Sequence, residues 1–82
     1  MRANRRYILV KGSKSDVESA ILEYIGVWGW ANAAPVFVSS HEDKIILAVN
    51  REALTDVRAA LALSREKIEV LRVSGTLRGL EK

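Results

Sequence analysis

The chain has 82 residues, 49% of them hydrophobic and 28% charged, with no cysteine and a formal net charge of +3. This is the length of one domain, and the composition is that of a globular protein, not a disordered one. Without cysteine there is no disulfide framework and no thiolate metal site. No apolar run approaches the roughly 18 residues of a membrane span, so the expectation is a cytoplasmic protein without a membrane partner. Charge is unevenly placed. Residues 1–6 and 72–82 hold six basic groups (Arg2, Arg5, Arg6, Arg72, Arg78 and Lys82) against the single acid Glu81, while the remainder holds seven basic and nine acidic groups.

In chain order, the β-branched and aromatic run Arg6–Lys11 predicts a first strand, ended by Gly12-Ser13. Ser15 and Glu18 have the spacing of a capping box and predict a helix start. Val17, Ala20, Ile21, Tyr24, Ile25 and Trp28 then fall on one apolar face, which places Trp28 in the core. Gly26 and Gly29 offer places for that helix to stop. Residues 35–39 predict a second strand opened by Pro35, residues 40–43 a polar turn, and residues 44–49 a third strand apolar on both faces. Asn50 reads as the N-cap of a second helix, with Ala53, Leu54, Val57, Ala60 and Leu61 on its buried face. Arg51, Arg58 and Arg65 recur every seven residues along one border of that face. Residues 68–73 predict a fourth strand, and Ser74–Gly79 has turn chemistry without a period.

The order βαββαβ predicts an α+β, ferredoxin-like sandwich: a four-stranded antiparallel sheet with two helices on one face. The whole of 1–82 is then one domain, with a basic N-terminal arm (1–5) and a C-terminal segment (74–82). The first strand is central and antiparallel to the fourth, so the two basic termini should meet and form one patch.

No nucleophile–base pair can be assembled around the single histidine, His41, and its neighbours Glu42 and Asp43 read as a solvated turn. No catalytic residue, metal ligand or protein-bound cofactor is expected. The third strand lacks the aromatics on which RNA-recognition motifs stack bases, so its outer face suggests a protein partner instead. Candidate partner contacts are Trp30, Phe37, Arg51, Arg58 and Arg65. The candidate phosphate-binding set is Arg2, Arg5, Arg6, Arg72, Gly75, Thr76, Arg78, Gly79 and Lys82. In it the glycines let backbone approach a phosphate through a positive φ, and the arginines supply charge.

Two segments, Val57-Arg58-Ala59-Ala60-Leu61-Ala62-Leu63 and Arg72-Val73-Ser74-Gly75-Thr76-Leu77-Arg78-Gly79, resemble a known family. It is protein component two of archaeal ribonuclease P, related to the eukaryotic Pop-five subunit. Gly29-Trp30-Ala31-Asn32-Ala33-Ala34-Pro35 fits its G-x-A-x-A-x-P stretch, and Arg6-Tyr7-Ile8 its opening strand. The chain departs from the family at Leu47-Ala48-Val49-Asn50, where an I-R-C segment is usual, and reads as a short or divergent member. The resemblance implies a non-catalytic subunit that binds ribonuclease P RNA and pairs with the barrel-shaped protein subunit, as a homodimer or in a two-plus-two assembly. The catalytic RNA and its magnesium ions would remove 5′ leaders from precursor tRNA. From a different class, a ferredoxin-like regulatory or dimerisation module binding a small ligand or protein partner is the competing expectation.

Overall fold

The computed structural model describes residues 5–65 and 67–80, the side chains of 78 and 79 excepted. Its elements are β1 (Arg5–Lys11), α1 (Lys14–Ala33), β2 (Val36–His41), β3 (Lys44–Asn50), a 3-10 turn (Arg51–Ala53), α2 (Leu54–Leu63), β4 (Glu69–Ser74) and a one-turn α3 (Leu77–Leu80). The sheet order is β2-β3-β1-β4, antiparallel throughout, with α1 packed on α2. This is the expected ferredoxin-like arrangement.

Alternation along the strands sorts their residues between two faces. Ile8 and Val10 of β1 and Ile45, Leu47 and Val49 of β3 join Val17, Ala20 and Ile21 of α1 and Val57, Ala60 and Leu61 of α2 in one buried core. Leu9 pairs with Ile46 and Tyr7 with Ala48 on the other face. That face is not simply open. Ala48 is 4% exposed although it lies outside the helix-side core, and so is Leu80 at 6%. Since α3 packs on β1 and β4, the segment expected to be a shapeless turn covers part of the second sheet face.

Helix α1 departs from expectation at both ends and in the middle. Its N-cap is Ser13, not Ser15: the Asp16 N–H donates to the Ser13 Oγ at 3.1 Å, so the pair Ser15 and Glu18 forms no cap. Ser13→Ala is expected to cost about 1 kcal/mol and Ser15→Ala less than about 0.5 kcal/mol by chemical denaturation, the reverse of what the sequence pattern implies. The helix runs past Gly26 and Gly29 to Ala33, but with a kink at Gly26, whose φ of 72° and ψ of −176° are not helical. Side chains beyond the kink are out of phase with those before it. Gly29 lies close to the preceding turn, where an added Cβ would sit 2.5 Å from the Ile25 Cβ. The inward positions after the kink are Trp30 and Ala33, whereas Trp28 is 85% exposed. Trp28 is therefore a surface residue, and Tyr24, half exposed, is not core either.

Smaller shifts follow from strand pairing. Strand β2 starts after Pro35 and extends to His41, because His41 pairs with Lys44, leaving Glu42 and Asp43 as the turn. The arginine border also dissolves. Arg51 lies in the 3-10 turn, Arg58 in α2 and Arg65 beyond the Ser64 C-cap, so the three exposed side chains share no single helix.

Candidate nucleic-acid interface

The start of β1 and the end of β4 lie side by side, Tyr7 opposite Ser74, which brings the two ends of the described chain together. Within that region Arg5 behaves differently from a solvent-facing cation. Its Nη1 donates to Asn50 Oδ1 at 2.8 Å, and its Nη2 donates to the carbonyls of Ala34 and Ala48, each at 3.0 Å. Asn50 is not the side-chain cap expected of it. Its Nδ2 donates instead to the Asn32 carbonyl at 2.7 Å, so that Arg5 and Asn50 together tie the end of α1 to β1 and β3. Hydrogen bonds to a charged donor contribute about 1.5–3 kcal/mol each when shielded, and less here because the site is only partly buried.

Arg6 points to the opposite side of the strand. Its Nη1 donates to the Arg5 carbonyl at 2.8 Å, and its guanidinium lies over Gly75, where an added Cβ would be 3.7 Å away. Gly75 does not adopt a positive φ, so the conformational reason expected for that glycine is absent. A Cβ there would only touch the arginine at ordinary van der Waals distance, so the position does not require a glycine for space either. Thr76 is exposed, and its N–H donates to Ser74 Oγ at 3.2 Å, a local turn that leads into α3. Arg72 is exposed on β4, in register with Leu9. Arg78 and Gly79 belong to α3, but their side-chain environment lies outside the described residues, as do Arg2 and Lys82 entirely.

Trp30 and Phe37 are half-buried against the core, and Lys14 Nζ sits 5.1 Å from the centre of the Phe37 ring. Exposed apolar side chains lie on α1, at Tyr24, Val27 and Trp28, on β2, at Val36 and Val38, and at Leu63 and Leu71. Arg51, the residue after Asn50, is carried to the basic end by the pairing of Asn50 with Arg5. Sequence reading missed Asn32 and Asn50 as structural partners. Asn50 sits where a cap is expected, and nothing local distinguishes a capping asparagine from one that bridges two distant segments.

At the far end of the sheet a shallow cavity of about 350 Å³ is lined by Lys11, Gly12, Ser13, Glu42, Asp43 and Lys67. Lys11 faces Lys44 across the strands there, but it also pairs in register with Glu69. The lysines of that end are matched by acids, which leaves the terminal end as the basic one. His41 Nε2 lies 3.9 Å from Glu42 Oε2, both well exposed. Among the described residues no three metal-ligating side chains cluster, and no helix is long and apolar enough to cross a membrane.

Three of the four segments that carry the family resemblance therefore converge at one end of the fold: the Arg6 strand, the Gly29–Pro35 corner and the Arg72–Gly79 segment. The fourth, Val57–Leu63, is the core-facing helix α2. No curated protein matches the chain. A family model does, over residues 6–82, and by that match the chain belongs to the Rpp14/Pop5 family of ribonuclease P protein subunits.

Proposed function

We propose that the chain binds ribonuclease P RNA through its basic end and supports the catalytic RNA in removing 5′ leaders from precursor tRNA. The observation that carries this is the convergence of Arg6, Arg51 and the Gly75 turn beside the paired termini, in a chain of this family. Phosphate contacts from arginine and lysine supply most of the affinity of such a surface and need no sequence readout. Magnesium would serve the RNA and not the protein. The protein partner, the barrel-shaped subunit of the same enzyme, would meet the exposed Val27 and Trp28 of α1, as a homodimer or in a two-plus-two assembly.

Titrating the full chain against transcribed ribonuclease P RNA over a salt series tests the reading. Log affinity is expected to fall with log salt at a slope between about −2 and −5. Arg6→Ala should flatten that slope by about 0.7–0.9, the loss of one phosphate contact, and slow precursor cleavage by the reconstituted enzyme. A salt-independent affinity, or unaltered binding by Arg6→Ala, rejects it. The exposed Trp28 gives the competing reading, a protein-binding regulatory module, its one support: a chain that binds the barrel-shaped subunit but no RNA would favour it.

A further inference from the structure

We infer that Arg5 is a positioning residue and not a phosphate ligand: with Asn50 it locks the α1–β2 corner onto the sheet, and so presents Arg6 and Gly75 to RNA. The inference rests on the RNA-binding reading above and divides its basic residues into two kinds.

The Arg5 guanidinium has acceptors on three separate segments. These are the Asn50 side chain at the end of β3, the Ala48 carbonyl within β3, and the Ala34 carbonyl at the end of α1. A planar fork can serve all three at once, which a lysine ammonium on a flexible stem cannot. Asn50 extends the tie through its bond to the Asn32 carbonyl, so the corner is held at two carbonyls, Asn32 and Ala34, two residues apart. That corner needs holding. Ala34 sits in the left-handed region at φ 46° and ψ 55°, which costs a residue with a Cβ about 1 kcal/mol or more. The backbone of Arg5 completes the arrangement, because its carbonyl accepts from Arg6 Nη1 and thereby fixes the guanidinium that lies over Gly75. The neighbouring arginines thus face different tasks. The donors of Arg5 are directed into the protein, while the Arg6 guanidinium, held by the Arg5 carbonyl, lies beside the Gly75 turn.

Charge and geometry can be separated by experiment. Arg5→Lys keeps the charge and loses the fork; Asn50→Ala removes the other half of the tie and changes no charge. Each full-length variant is titrated with transcribed ribonuclease P RNA over a salt series, at a temperature where circular dichroism shows it folded. Both single variants should bind about three- to tenfold more weakly than the parent chain, with the salt slope unchanged. The double variant should be no more than about twofold weaker than the worse single one, since both break the same tie. Arg6→Ala, in contrast, should flatten the slope. Parental affinity in Arg5→Lys would show that charge alone suffices and overturn the inference, as would parental affinity in Asn50→Ala or additive losses in the double variant. If the parent chain and Arg6→Ala bind RNA alike, or neither binds, the RNA-binding reading itself fails, a result distinct from the previous three.

Discussion

Trp28→Ala is expected to leave the melting temperature within a few degrees of the parent chain and to weaken binding to the barrel-shaped ribonuclease P subunit by about 30-fold or more. The first half follows from exposure: a side chain 85% open to solvent makes few contacts to lose, and surface truncations usually stay within about 0.5 kcal/mol. The second half follows from area and type. An exposed tryptophan next to exposed Val27 is a large apolar anchor, and such anchors reach about 2 kcal/mol or more on truncation when a partner buries them. Trp30, two residues on, should do the opposite. It packs against the core, so Trp30→Ala should cost about 2–4 kcal/mol and lower the melting temperature by about 10 °C or more. Calorimetry of binding and thermal melts on both variants check the pair. A Trp28→Ala chain that unfolds, or that binds its partner at full strength, would show that the kink does not place this residue as a contact.

Removal of the chain after Ser74 should destabilise the fold by about 2 kcal/mol, seen as a fall of about 8–16 °C in melting temperature. A loose tail would have no such effect. Leu80 is 6% exposed and α3 packs on β1 and β4, so the truncation uncovers apolar sheet surface as well as losing the leucine. Leu80→Ala should account for most of the loss. Any defect of the truncated protein in precursor cleavage would therefore mix instability with lost contacts. Arg78→Ala is the cleaner functional probe, because it keeps Leu80 in place. Melts of the truncated chain that overlay those of the full chain would refute the structural role of α3.

Much of the architecture was legible because it depends on local pattern. Strand alternation in Ile45, Leu47 and Val49 and the i, i+3, i+4 spacing of Val57, Ala60 and Leu61 predict core faces, and these residues are buried as expected. Topology followed, since few arrangements of βαββαβ satisfy right-handed crossovers. The adjacency of the termini came with it. The failures cluster where one residue interrupts a period or serves a distant segment. Gly26 carries no mark that separates a kink from a helix stop, and beyond its kink Trp28 is exposed while Trp30 packs on the core.

The sequence by itself determined the fold class, the family, the concentration of basic residues at the two ends and the main core faces. All of these rest on periodicity, composition and motif order along the chain. Only the tertiary structure decided that Arg5 and Asn50 bind backbone from α1 and β3, that Gly75 lies beside the Arg6 guanidinium without a positive φ, and that Leu80 covers part of the sheet. Arg5 lies 45 residues from Asn50 and 29 from Ala34 along the chain. A polar side chain bonds to whatever the fold brings within about 3 Å, and no local spacing encodes which distant carbonyl that will be.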